Sequence, residues 1–315
     1  MKKIIKRLPV IWLIVGLLGL TLVFFGYQNL IGSGNNTGAL QHPIESEQTR
    51  QQIQTKQSAN YDAAQIKPVT TTEYAKAQLD YRTLVNQSGI GALYIPTAAV
   101  QTKILAGMAN DNLIVAVGTY RKNQQLGRDN YVVLAHNLVQ GGGPLAQLNQ
   151  AKVADMIYAT DFVNVYEYRV SIHKIENQVN GELLQEPVQG ESAKITLFRC
   201  EGALNTPNRM VVQGEFVKKY PAKQATTTIK KGLGLVSATQ QTTQTKPQTA
   251  ADKKQVSQPQ SEVVEQFSQP QSIQKTVRDK TVQIFAVAHE FSYLLAIGYL
   301  IILVGLIKIK NKLNE

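Results

Sequence analysis

The stretch that decides the fold is Ile195-Thr196-Leu197-Phe198-Arg199-Cys200. Its β-branched and aromatic residues favour a buried strand, which would end in Cys200, the single cysteine among 315 residues. A second strand-like run begins at Arg209, and a third, 131–135, is followed directly by His136. A lone thiol, an imidazole and a guanidinium at strand ends suggest a nucleophile, a proton carrier and a charge stabiliser.

The texture of residues 89–218 is that of an all-β domain. Short β-rich runs alternate there with Gly, Asn, Asp and Pro, which is typical of turns between strands. This density of short strands predicts one closed β-barrel of ~130 residues with few short helices. The predicted strands are 90–95, 100–105, 131–135, 156–159, 162–174, 193–200 and 209–217.

Two apolar segments lie outside this domain. Residues 8–26 carry no charge, and residues 291–307 are similar; at ~1.5 Å per residue both are close to the length of a bilayer crossing. They predict transmembrane helices at 8–27 and 284–307. A cleaved signal peptide and a buried core helix are the respective alternatives.

Lysine and arginine set the predicted orientation. Basic residues fill the ends 1–7 and 308–315, and cytoplasmic flanks collect such residues. The sequence therefore predicts a two-pass protein of the cell membrane, with both termini cytoplasmic and the barrel extracellular.

The remaining segments are polar. Their composition predicts a stalk over residues 28–69. It also predicts a mostly disordered tether over residues 219–283, which are rich in Gln and Thr. Between stalk and barrel, Thr70 and Glu73 form a capping-box pattern. Helical spacing of apolar residues after it predicts one amphipathic helix over 70–88.

Charge and cysteine content exclude several classes of protein. The net charge is +11, but no compact basic stripe is interleaved with aromatics, so no nucleic-acid partner is expected. A basic exterior fits an anionic membrane or wall polymer instead. One thiol forms no internal disulfide, so Cys200 is either a packing residue or used in chemistry.

Three motifs in the right order, and one further strand, resemble those of the sortase family. Residues 196–200 resemble the TLxTC motif that ends in the sortase cysteine, and 130–137 resemble the strand carrying the sortase histidine. Residues 209–215 resemble the strand carrying the sortase arginine, and 91–96 look like the first strand. The resemblance covers about residues 90–216.

The resemblance implies a membrane-anchored cysteine transpeptidase, most similar to the class A housekeeping enzymes. Such enzymes cleave an LPXTG-type sorting signal between Thr and Gly and pass the acyl group to an amine of the cell-wall precursor, lipid II. Carried over, Cys200 is the nucleophile, His136 exchanges protons with the amines, and Arg209 binds the substrate backbone and the oxyanion. Thr196 and Phe198 would help to line the substrate groove.

Two residues depart from the family pattern. Arg199 stands where the motif has Thr, and Ala135 stands where Gly usually precedes the histidine. Alternation points Arg199 away from Cys200, although a twisted strand end would let it add positive charge near the thiolate. These departures keep a catalytically silent, membrane-tethered binding barrel as an alternative.

No cofactor is expected. Some sortases bind Ca²⁺ through acidic residues before the cysteine strand, where this chain has four glutamates. Without dense oxygen-ligand spacing they predict a solvated loop rather than a calcium site. The four residues are Glu176, Glu182, Glu186 and Glu191.

Two other classes of enzyme share part of this pattern. A class C-like, pilin-polymerising sortase would explain a second membrane span, but residues 32–88 lack the Asp-Pro-aromatic lid signature. A papain-like endopeptidase places Cys before His in the chain, whereas His136 precedes Cys200 here.

Overall fold

The computed structural model describes residues 7–32, 40–137, 142–177, 181–201, 206–236 and 292–312. These residues fall into two compact units, one containing 7–32, 70–79 and 292–312 and the other containing the rest. The helices are α1 (Leu8–Gly32), α2 (Arg50–Ser58), α3 (Thr71–Leu79), α4 (Tyr81–Ser88), α5 (Asn110–Val115), α6 (Thr227–Leu233) and α7 (Ser292–Lys312). The strands are β1 (His42–Pro43), β2 (Gly89–Ile95), β3 (Val100–Leu105), β4 (Val117–Thr119), β5 (Asn130–Ala135), β6 (Met156–Thr160), β7 (Asn164–Asn177), β8 (Lys194–Cys200), β9 (Asn208–Pro221) and β10 (Leu235–Val236).

Eight strands close into a barrel in the order β2-β3-β4-β5-β8-β9-β7-β6. Pairing is antiparallel except for β3 with β4 and β5 with β8. The predicted all-β barrel is therefore confirmed, and each of the seven predicted strands is present. The eighth, β4, was missed because three residues are too few to show a period.

The interior of the barrel is filled by alternate side chains of its strands. On β8 the inward residues are Ile195 and Leu197, both fully buried, and β5 and β9 add Val133 and Val212. Burying each such side chain contributes roughly 1.5–3 kcal/mol. This alternation leaves the side chains of Phe198 and Cys200 on the outer face of β8.

The predicted stalk, 28–69, is wrong over its described parts, which are 28–32 and 40–69; residues 28–32 are the end of α1. Leu40 and His42 are fully buried, and the His42 ring stacks on Phe162 with centroids 3.6 Å apart. Helix α2 begins with a complete capping box formed by Thr49 and Gln52. The segment is polar because its side chains cap helix ends and form hydrogen bonds with neighbouring segments. Polar composition alone does not distinguish such a segment from a disordered one.

Two other boundaries also differ from the predictions. The single helix predicted over 70–88 is two helices, α3 and α4, separated at Asp80. The barrel continues past 218, since β9 runs to Pro221 and is followed by α6 and β10. The rest of the predicted tether, 237–283, lies outside the described residues.

The predicted membrane spans receive no support. Helices form at both places, as α1 and α7. Across the part of the chain that the structure describes, however, no helix is long and apolar enough to cross a membrane. Residues 284–291 and most of the basic ends lie outside that part.

Lys103 on β3 is buried inside the barrel unit. Its side chain is 1% exposed, and Nζ donates to the carbonyl oxygen of Leu233 at 3.4 Å. Burial lowers the pKa of Lys103 to about 7. The unfolded chain, with a lysine pKa of about 10.4, therefore holds more protons than the native chain above pH 7.

We expect stability to rise with pH because of this lysine. Between pH 7 and about 9.5, the free energy of unfolding should rise by about 3 kcal/mol more in wild type than in Lys103→Met, at about 1.4 kcal/mol per unit. Denaturant unfolding of both proteins across that range measures the difference. Lys152→Met, which removes an exposed lysine, is the control, and parallel curves for wild type and Lys103→Met would refute the expectation.

Candidate active site

Strand pairing brings the three predicted catalytic residues to one end of the barrel. Cys200 is paired directly with Arg209 across β8 and β9. Ala135 is in register with Arg199 across the parallel pair of β5 and β8, so His136 follows β5 where Cys200 ends β8. Sequence order alone could not show this, because β5 and β8 are separated by two other strands in the chain.

All three side chains line one cavity of about 410 Å³. Its polar residues are Cys200, His136 and Arg209, together with Arg199, Glu176 and Asn177. Its apolar wall comes from several separate segments of the chain. These wall residues are Ala63, Ile66, Leu113, Tyr120, Leu134, Leu183, Leu184, Phe198 and Val211.

Cys200 and Arg209 are both half-buried at the edge of this cavity. The backbone bond from Glu201 N–H to the Asn208 carbonyl, 2.9 Å, closes the strand pair just beyond them. Arg209 Nη1 donates to the carbonyl oxygens of Thr206 and Asn208, at 2.7 and 2.9 Å. These contacts hold the guanidinium at the cavity that Arg209 shares with Cys200.

His136 is 8% exposed and is held by backbone and side chain. Its N–H donates to the Leu113 carbonyl at 2.9 Å. Gly143 lies close above it at φ +108°, where an added Cβ would be 2.7 Å from the His136 carbonyl oxygen. A side chain at position 143 would therefore displace the histidine backbone.

Asn110, at the start of α5, fixes the tautomer of His136. Its Oδ1 lies 2.8 Å from His136 Nε2 and also accepts the backbone N–H of Lys67 at 3.1 Å. Because a backbone N–H requires an acceptor, the oxygen of the amide must face both groups. The proton of the neutral ring is thus on Nε2.

We expect Asn110 variants to move the histidine limb of the pH–rate profile. Asn110→Ala removes an acceptor that favours the protonated ring, so the limb should shift to lower pH and kcat should fall about tenfold. Asn110→Asp adds a negative charge and should shift the limb to higher pH. The kcat/KM profiles of both variants measure these shifts. If both variants shift the limb in the same direction, or neither shifts it, the assigned contact between Asn110 and the protonated His136 is contradicted.

Thr196 lies behind the cavity rather than in its wall. It is fully buried, and its hydroxyl donates to Asn130 Oδ1 at 2.8 Å and accepts from Gln213 Nε2 at 2.8 Å. Asn130 and Gln213 also donate to the Leu183 carbonyl, at 2.9 and 3.0 Å. The threonine therefore holds the turn that carries the leucine wall, and direct contact with substrate stays a prediction.

Phe198 lies in the wall of this cavity, and its contact with a substrate stays a prediction. It is half-buried and meets Tyr120 edge-on, with ring centroids 6.3 Å apart and planes at 72°. Leu113 and Leu134 pack in the same cluster. This side of the cavity offers an apolar surface to a substrate side chain.

The glutamates considered for calcium are mostly engaged with cations. Glu176 pairs with Lys174 at 3.2 Å, Glu186 with Arg121 at 3.1 Å and Glu191 with Lys194 at 2.7 Å. Within the described ranges, no group of three or more acidic, histidine or cysteine side chains is gathered to hold a metal ion.

Sequence reasoning missed Asn110 and the leucines of the 181–184 turn. Nothing in their local pattern marks them, since Asn110 reaches His136 across 26 residues. Arg121 anchors the 181–184 turn, and only the fold shows that it does so. Its guanidinium donates to the Asn130 carbonyl at 3.0 Å and to the Leu184 carbonyl.

Comparisons with known proteins find one family repeatedly. A family model described as "Sortase domain" matches residues 93–217. The protein named "Putative sortase YwpE" of Bacillus subtilis is 32% identical over 100 residues, which are 32% of this chain and 95% of that protein. Sortase A of Bacillus anthracis is 29% identical over 156 residues, 50% of this chain and 70% of that protein.

A solved structure of sortase A from Listeria monocytogenes is also similar. It aligns with a TM-score of 0.42 at 25% identity and covers 47% of this chain and 97% of that one. With the domain match and the Bacillus subtilis relative, the conclusion is that the chain belongs to the sortase family, whose members are cysteine transpeptidases.

Proposed function

We propose that this enzyme cleaves an LPXTG-type sorting signal between Thr and Gly and transfers the new carboxyl end to an amine of the cell-wall precursor lipid II. The observation that carries the proposal is the shared cavity, where Cys200, His136 and Arg209 meet beside an apolar wall. A thiol alone would support many reactions. A thiol with a proton carrier and a forked cation at one peptide-sized site supports acyl transfer.

The first half-reaction forms a thioester. The Cys200 thiolate attacks the carbonyl carbon of the threonine, and Arg209 donates hydrogen bonds to the oxyanion that develops. The C–N bond then breaks as protonated His136 gives its proton to the departing glycine amine. The acyl group stays on sulfur, and the histidine is left neutral.

The second half-reaction runs the same steps in reverse with a new amine. The nitrogen of the acceptor amine attacks the thioester carbon, and neutral His136 takes a proton from that amine as it does so. The C–S bond breaks and returns Cys200 as a thiolate beside a protonated His136, ready for the next substrate. No added cofactor enters these steps, so we propose that turnover persists in EDTA.

The test incubates the purified full chain with an LPXTG peptide and one of two acceptors, a short wall-type amine or a peptide with a pilin-type lysine. Mass spectrometry should show a peptide adduct on Cys200 without an acceptor and a ligated product with the wall-type amine. Preferred ligation to the lysine would assign pilin polymerisation instead. Absence of any adduct under turnover conditions would leave a silent binding barrel.

The location of the enzyme is a separate proposal. The uncharged segment 8–26 and the basic ends 1–7 and 308–315 support a membrane-anchored protein with both termini cytoplasmic. Cell fractionation followed by protease treatment of intact cells tests it. Recovery in the soluble fraction, or a barrel that resists external protease, would reject this location.

A further inference from the structure

Arg199 is one of the two residues at the site that depart from the family pattern. It stands directly before Cys200 on β8 and shares the inward face of that strand with Leu197. Its side chain is only 5% exposed. Its partners in register are Ala135 on β5 and Met210 on β9, both in the barrel core.

The guanidinium of Arg199 joins three parts of the catalytic end. Nη1 donates to the carbonyl oxygen of Cys200 at 3.0 Å, and Nη2 donates to the carbonyl oxygen of Ala146 at 3.4 Å. Nη1 also lies 2.8 Å from Glu201 Oε2. The end of β8 is thereby linked to the loop that follows His136.

A buried arginine in this position is costly. Burial lowers the pKa of Arg199, while the charges of Glu201 and of an ionised Cys200 act in the opposite direction. Nε is buried without a hydrogen-bond partner within the described structure. Because buried ion pairs rarely add net stability, stability is a poor reason for this residue.

We propose that Arg199 is a positioning residue of the transpeptidase, whose buried charge favours the thiolate of Cys200 from beneath while Glu201 moderates that charge. The reactive role of Cys200 rests on the proposed function. Arg199 itself touches no substrate in this scheme. It acts through the sulfur above it and through the loop after His136.

Other charged groups also face Cys200. Arg209 is paired with it across β9, and His136 adds a proton-dependent charge from the end of β5. From β7, Glu176 lines the same cavity and is paired with Lys174. Arg199 lines this cavity too, but its ion pair is with Glu201, so the contribution of that pair can be changed by itself.

The two members of the pair have opposite expected effects. Removing the positive charge disfavours the thiolate, so Arg199→Met should raise the pH at which Cys200 ionises by about one unit. Removing the negative charge favours the thiolate, so Glu201→Gln should lower that pH. A purely structural role would slow the reaction without moving the two midpoints in opposite directions.

The experiment measures the rate of Cys200 alkylation by iodoacetamide against pH, using the full chain. Cys200 is the single thiol, so mass spectrometry of the intact protein reports on it alone. Arg128→Met is the matched control, because Arg128 is 71% exposed and precedes β5, at the opposite end of the barrel. Its midpoint should equal that of wild type.

An unchanged midpoint in Arg199→Met, or equal shifts in both variants of the pair, would overturn the proposal. If Arg199→Met does not fold, the test rests on Glu201→Gln, and an unshifted alkylation midpoint in that variant would overturn the proposal. Alkylation requires no peptide. Shifted midpoints without a peptide adduct would therefore reject the proposed substrate but keep the pair, and an adduct with unshifted midpoints would do the reverse.

Discussion

Replacing Cys200 with alanine is expected to abolish transpeptidation and the peptide adduct together. Cys200 is the single cysteine of the chain, and its thiol lines one cavity with His136 and Arg209. Loss of a covalent nucleophile typically costs on the order of 10⁴-fold or more in rate. Peptide cleavage followed by chromatography, with intact-mass detection of the adduct, measures both quantities.

The alanine variant should keep its fold, because it removes one half-buried sulfur atom at a strand end. An unchanged melting temperature is the required control. Cys200→Ser is a second control, since it keeps the shape of the site but supplies a weaker nucleophile. Cleavage at the wild-type rate in Cys200→Ala would show that the reaction uses another group.

Replacing Arg209 with lysine should reduce kcat/KM about 100-fold, the cost of removing one oxyanion donor. One nitrogen of Arg209 is held by the Thr206 and Asn208 carbonyls, so the rest of the guanidinium is directed by those bonds. A lysine is a single point charge and cannot keep these contacts and also donate a fork to the substrate. Steady-state kinetics with the LPXTG peptide measure the loss.

Arg128→Lys is the matched control for this second change. It makes the same substitution at an exposed position, where Arg128 pairs with the neighbouring Asp129, and it should leave kcat/KM unchanged. Turnover of Arg209→Lys within twofold of wild type would remove Arg209 from the mechanism.

The barrel was predictable because its strands have strong local signals. β5 and β8 are short runs of Val, Ile, Leu and Tyr between turn residues, and such runs determine their own conformation. β4 has three residues and takes its conformation from its neighbours β3 and β5. Its presence follows from closure of the barrel and not from its own sequence.

The site was predictable only in part, for a related reason. Cys200, His136 and Arg209 each end or begin a strand, so order along the chain was enough to nominate them. Asn110 and Leu183 act through contacts between loops that are distant in the sequence. No local residue pattern predicts which loops come into contact. Thr196 shares a face with Phe198 and Cys200, yet the 181–184 turn covers it.

The pairing of β1 with β10 has a mechanical consequence. His42 N–H donates to the Gly234 carbonyl at 2.8 Å, and Ile44 N–H donates to the Val236 carbonyl at 2.9 Å. The strands are parallel, so a pull applied to the chain before His42 and after Val236 loads both bonds in shear. The β1–β10 pair would then bear the force before the force reached β8 and β9, the strands beside the thiol.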